Sequence, residues 1–183
     1  MKTPLIAGLI LLVTAALSHS AEPWEAEYGR LVGKGNATGH LYSKREFGDV
    51  HVVCRAKLND GGNSGLYLRS SFGPRIGLAG FPLGYEAQIA AGVPKVSVPT
   101  GSLFAFSGTS PTLAAGPDTV KPNEWFDLEA TVRGNKVQIL VNGKETINFT
   151  DPIERPKTGR IALQLLDAKT EVEFAMIAVK ELK

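Results

Sequence analysis

The plainest pattern in the chain runs from Asp49 to Leu58, where apolar and polar positions alternate. Val50, Val52, Cys54, Ala56 and Leu58 fall on one face, and Asp49, His51, Val53, Arg55 and Lys57 fall on the other. Period-two alternation bounded by Gly, Asn and Asp is the mark of a half-buried strand. The same reading predicts strands at Leu66–Ser70, Tyr85–Ala90, Ser102–Phe106, Phe126–Arg133, Val137–Val141, Ile147–Phe149, Arg160–Leu166 and Val172–Leu182. Asn142-Gly143 between two apolar runs predicts a hairpin, because a type I′ turn needs positive φ at both central residues. Asp60-Gly61-Gly62-Asn63 predicts another turn. Phe72–Phe81 and Gly108–Pro122 are rich in Gly, Pro and Ser and read as surface loops. No stretch beyond the first residues carries a helical period, so the expected class is an all-β sandwich or jelly roll.

The start of the chain is different. A basic Met1-Lys2, a 13-residue apolar run from Leu5 to Leu17, and small residues up to Ala21 follow one another. That order is expected of a secretory signal peptide over residues 1–21, leaving a single domain over 22–183 in the periplasm or outside the cell. A run this short does not reach the roughly 20 residues of a membrane-spanning helix. The formal net charge is +2 and no basic cluster occurs, which excludes an electrostatic case for nucleic acid. Cys54 is the only cysteine, and its place on the apolar face predicts a buried thiol. His40 and His51 have no second ligand at metal spacing, so no metal site is expected from protein ligands. Whether a divalent ion takes part stays open.

Three predicted strands carry a polar second face. Tyr67 and Arg69 oppose Leu66 and Leu68; Glu86 and Gln88 oppose Tyr85, Ala87 and Ile89; Gln164 opposes Ile161, Leu163 and Leu165. The ordinary reading is a solvent-facing sheet surface. By contrast, Glu124-Trp125-Phe126-Asp127-Leu128-Glu129 lacks the spacing of a jelly-roll glucanase acid set, since Glu124 does not share the face of Asp127 and Glu129, and it reads as structural.

A series of short strings is more specific. Gly62-Asn63-Ser64-Gly65-Leu66-Tyr67-Leu68-Arg69 is followed by Gly84-Tyr85-Glu86-Ala87-Gln88-Ile89, then Thr100-Gly101-Ser102-Leu103-Phe104 and Asn123-Glu124-Trp125. Val141-Asn142-Gly143-Lys144, Gly159-Arg160-Ile161-Ala162-Leu163-Gln164 and Val172–Leu182 complete it. In this order the strings resemble the 3-keto-disaccharide hydrolase family, also described as 3-keto-glucoside-1,2-lyase and 3-keto-2-hydroxyglucal hydratase domains. The resemblance implies a concanavalin-like jelly roll of two antiparallel sheets with a site on the concave face.

It also implies a reaction. A sugar oxidised at carbon 3 has an acidified proton at carbon 2; a base removes it, the enolate expels the glycosidic oxygen from carbon 1, and water adds back. On this resemblance Glu86 is the base and Arg69 stabilises charge, while Gln88, Gln164, Tyr67 and Asn63 bind the sugar. Carboxylates and amides suit hydroxyl groups, and an aromatic ring suits the apolar side of a sugar. After Glu86-Ala87-Gln88-Ile89 the chain reads Ala90-Ala91-Gly92, where family members often carry an acidic residue. Two functions are therefore expected of the same groove: a glycoside-cleaving enzyme, or a carbohydrate-binding module without catalysis.

Overall fold

The computed structural model describes residues 24–35, 38–73, 81–92, 98–106, 112–153 and 155–183. The expected signal peptide lies outside them. The described residues contain strands and no helix: β1 (Trp24–Glu27), β2 (Arg30–Gly33), β3 (Gly39–Phe47), β4 (Val50–Leu58), β5 (Asn63–Ser70), β6 (Gly84–Ala90) and β7 (Leu103–Phe106), then β8 (Thr112–Ala114), β9 (Phe126–Arg133), β10 (Lys136–Val141), β11 (Lys144–Thr150), β12 (Gly159–Leu165) and β13 (Val172–Glu181).

They form two antiparallel sheets. One has seven strands in the order β1-β2-β13-β4-β9-β10-β11, and the other has six in the order β3-β12-β5-β6-β7-β8. Five of the eleven neighbouring pairs join strands that are not consecutive in the chain, as in a jelly-roll sandwich. The main core lies between the sheets. Val52, Cys54, Leu128, Ile139 and Phe174 from the larger sheet are buried in it with Leu66, Ala87, Leu103, Ile161 and Leu163 from the smaller one. Cys54 is fully buried, as its strand face predicts. The thiol is pushed up to about 12 by its burial first and by Asp127 second.

Local chemistry explains the turns. Asn142 and Gly143 have φ of 50° and 75°, the left-handed pair that a type I′ hairpin between β10 and β11 needs. Asn142 also accepts from the Asp127 backbone N–H through Oδ1, at 2.9 Å, which ties the turn to β9. Asp127 and Glu129 pair outside the core with Arg55 and His51, in keeping with a structural segment. His51 bonds Thr131 Oγ1 at 2.8 Å.

Four strands were not expected: β1, β2, β3 and β8. The first two form a short hairpin, and β8 pairs with β7 inside the segment expected to be a loop. The remaining expected loop at Phe72–Phe81 falls largely outside the described residues.

A larger departure lies at Arg69. Ala162 faces Tyr67, yet Arg160 faces Ser70, so Leu68 and Arg69 together oppose the single residue Ile161. Such a bulge breaks alternation and re-aims a side chain. Arg69 takes φ of 49° and no longer shares a face with Tyr67. Its guanidinium donates to the Gly48 and Gly134 carbonyls and to Asp49, at the end of the sandwich. There it lines a cleft of about 400 Å³ with Tyr85, Asp151, Arg155 and Lys157.

Candidate functional site

The outer face of the six-stranded sheet is built from two cross-strand rows. One row reads Tyr42, Ala162, Tyr67, Glu86, Phe104 and Leu113 across β3, β12, β5, β6, β7 and β8. The next reads His40, Gln164, Gly65 and Gln88 across β3, β12, β5 and β6. Alternation places all of these opposite the main core, where a second small cluster gathers Tyr67, Phe106 and Ala162 with Tyr42, Phe81, Leu83 and Phe104.

Within this frame Glu86 does not stand upright. Gly65 has no side chain, and the Glu86 carboxyl leans over it from the neighbouring row: a Cβ on Gly65 would overlap Oε1 and come within 2.9 Å of Cγ and Cδ. The space that Gly65 leaves on this face is thus filled by a carboxyl group. Gly65 pairs with Gln164 on one side and Gln88 on the other, so Glu86 is brought between the two amides.

Electrostatics follow from burial. Glu86 is 3% exposed, and desolvation pushes its pKa up to about 8, opposed by a hydrogen bond from Tyr67. Tyr67 is fully buried and its hydroxyl is raised, first by desolvation and then by the nearby Glu86 charge. The same hydroxyl accepts from Gln164 Nε2 at 3.1 Å. Gln88 Nε2 donates to Asn63 Oδ1 at 3.3 Å. Asn63 itself is anchored by Thr170, which bonds both its backbone N–H and its carbonyl.

Glu86, Gln88, Gln164, Tyr67 and Asn63 therefore come together, and Arg69 does not. The expected charge-stabilising role of Arg69 has no geometric support at this face, because the bulge carries it to the far side of the sheet. His40 and Tyr42, which sequence reasoning missed, belong to the face. The ring of His40 meets Tyr67 edge-on at a centroid distance of 5.1 Å and lies 5.8 Å from Tyr42. Desolvation holds the His40 imidazole down to about 4, so it is neutral at neutral pH. Burial also pushes the Tyr42 hydroxyl up to about 12, with the Gly73 backbone opposing. Beyond Tyr42, Phe72 packs at a centroid distance of 5.1 Å, and the Arg160 guanidinium lies over the Phe72 ring at 4.9 Å. Phe104 and Phe106 stack at 5.9 Å toward the opposite edge, and Phe106 stacks again on Tyr67 and Phe81.

No group of three or more His, Cys, Asp or Glu among the described residues could hold a metal ion. The donor chemistry of the face is a carboxyl, three primary amides, two phenols and a neutral imidazole amid aromatic rings. Such a set makes directional hydrogen bonds to hydroxyl and carbonyl oxygens, and it offers one base.

Comparison with solved structures places the fold. A candidate glycosyl hydrolase from Parabacteroides distasonis superposes with a TM-score of 0.71 at 20% identity, covering 88% of this chain and 84% of that one. The carbohydrate-binding module CBM66 from Bacillus subtilis superposes at 0.68 with 16% identity, covering 86% and 91%. The exoplasmic/lumenal domain of VIP36, in a Ca2+/Man-bound form, gives 0.69 at 12% identity over 87% and 81%. At these identities the likeness is one of fold. No curated protein matches the chain by sequence. The family model for the 3-keto-alpha-glucoside-1,2-lyase-like domain does match, over residues 14–180, and the chain belongs to that family.

Proposed function

We propose that this chain is an exported carbohydrate-active protein that cleaves 3-keto-glycosides by elimination between carbons 1 and 2, followed by hydration, with Glu86 as the base. The observation that carries the reading is the Glu86 carboxyl, buried, seated over Gly65 between two amides, and raised to about 8. A base of that strength is matched to a proton that a neighbouring ketone has acidified, and near-neutral pKa values suit general-base work. Gln88, Gln164 and Asn63 supply hydrogen bonds to the sugar, and the aromatic rings at either edge supply flat apolar surface. The basic, apolar, small-residue order of the first 21 residues supports export.

The displacement of Arg69 favours a second reading. Without it the described residues of the face hold no cation beside Glu86, and a non-catalytic carbohydrate-binding groove needs none. Turnover of a chromogenic 3-keto-glucoside, with and without divalent ion and chelator, separates the two. The enzyme predicts turnover lost by at least 10²-fold in Glu86→Gln, the scale of a positioned acid–base group. Undiminished turnover in that variant sinks the assignment of Glu86. No turnover by the wild type, together with binding of unoxidised glycans, establishes the binding module.

A further inference from the structure

With Arg69 on the far side of the sheet, the proposed elimination needs another group where negative charge collects. The first step breaks the bond between carbon 2 and its hydrogen. The proton goes to the Glu86 carboxylate, the electron pair forms the double bond between carbons 2 and 3, and the carbonyl oxygen on carbon 3 becomes an enolate oxygen. Collapse of that enolate restores the carbonyl on carbon 3, forms the double bond between carbons 1 and 2 and breaks the bond from carbon 1 to the glycosidic oxygen, which takes up the proton held by Glu86 and so restores the base. A donor aimed at the carbon 3 oxygen stabilises the enolate more than the ketone, and only such a difference speeds the step.

The amides beside Glu86 have part of their donor capacity committed, Gln164 to the Tyr67 hydroxyl and Gln88 to Asn63. His40 Nε2 is different: it is buried and has no hydrogen-bond partner among the described residues. Buried polar nitrogens are nearly always partnered, so such an atom on the same face as the candidate base marks a place for a ligand. His40 lies in the same row as Gly65, with Gln164 between them. Two inter-strand steps set the Cα positions of His40 and Gly65 about 10 Å apart. The Glu86 carboxyl lying over Gly65 and the imidazole rising from His40 can hold opposite edges of one six-membered ring.

We infer that His40 is a further catalytic residue of this face, donating a hydrogen bond from Nε2 to the carbon 3 oxygen of a 3-keto sugar. The inference rests on the reading of Glu86 given above. Burial keeps the imidazole neutral, which suits a hydrogen-bond donor that is not meant to give its proton away; a neutral histidine polarises a carbonyl in this manner elsewhere. The edge-on Tyr67 ring holds the imidazole, and the Tyr67 hydroxyl carries the link on to Glu86.

The experiment follows deuterium entering carbon 2 of 3-keto-glucose in D2O by NMR, beside turnover of a nitrophenyl 3-keto-glucoside. Wild type is compared with His40→Phe, His40→Gln and His40→Asn. The Gln amide nitrogen can reach the Nε2 position and the Asn nitrogen cannot. His40→Phe and His40→Asn are expected to lose about 10²–10³-fold in both exchange and kcat/KM, as for removal of an oxyanion donor. His40→Gln is expected to recover at least tenfold of that loss. Where His40→Phe fails to fold, the Gln and Asn pair decides.

Exchange within twofold of wild type in folded His40→Phe or His40→Asn overturns the inference alone. Equal loss in Gln and Asn, tracking a fall in Tm, also overturns it, since that is packing. A wild type that neither exchanges nor turns over fails the reading of Glu86 and takes this inference with it.

Discussion

Two titratable side chains on the outer face tilt the protein's stability in opposite directions. Glu86 has its pKa raised from 4.5 to about 8, so between those values the folded chain holds a proton that the unfolded chain has released. Stability contributed by protonated Glu86 is full below pH 4.5 and is lost as pH rises through 8. His40 is lowered from 6.5 to about 4, so the unfolded chain binds the extra proton, and stability is lost as pH falls from 6.5 toward 4. The two slopes offset each other from about 4.5 to 6.5, and Glu86 acts alone from 6.5 to 8. Denaturant melts are therefore expected to show stability falling across pH 6.5–8. In Glu86→Gln that fall should vanish, and the variant should gain on wild type by on the order of a few kcal/mol, at about 1.4 kcal/mol per pKa unit. The carboxylate is the working form of the base, so kcat/KM for a 3-keto-glucoside should climb through pH 8 and level off above it. Gly65 tests the seat of that carboxyl. Gly65→Ala drives a methyl group into Oε1 and is expected to cost about 1–3 kcal/mol by overpacking while reducing turnover far more than KM.

At the scale of the strand, alternation decided what could be foreseen. β4 and β9 keep a strict period with their apolar side against the opposite sheet, and Asn142-Gly143 names its own turn, so both were legible. β3 hid itself, because Ser43 takes a core-side position. Its hydroxyl accepts from the Ile161 N–H and donates to the Arg45 carbonyl, where three residues of β3 oppose that one residue of β12. A polar residue at an inward position erases the pattern, and with it went His40 and Tyr42. Arg69 was misplaced for the converse reason: counting by twos assumes no extra residue, and nothing in Leu68-Arg69-Ser70 announces the bulge. Its surroundings now assign it a structural task, bridging the smaller sheet to the turns at Gly48–Asp49 and Gly134. Arg69→Ala should lower stability by about 2–3 kcal/mol, less than for a fully buried pair because Asp49 is about a third exposed. Per folded molecule, turnover should stay near wild type, whereas a direct role in charge stabilisation predicts a loss of 10²-fold or more.

The whole molecule divides its labour between the two sides of one sheet. The inner side of the six strands supplies apolar contacts to the main core, and the outer side carries the carboxyl, amides and rings. This division was legible from the polar second faces of β5, β6 and β12 and from the ordered strings. How far the carboxyl leans was not, since that depends on the pairing of Gly65 with Gln88 and Gln164. The buried thiol of Cys54 gives the assembled sandwich one further property. As the only cysteine it closes no internal bridge, and with its pKa near 12 it stays unreactive while the two sheets remain together. Once they part, the freed sulfur in an oxidising medium has only another chain to join. Packing thus guards against covalent pairing, and the rate at which disulfide-linked dimer accumulates becomes a clock of global opening. That rate should rise steeply in Arg69→Ala, since the opened population grows about tenfold for every 1.4 kcal/mol of stability lost, and Cys54→Ala should abolish the dimer altogether.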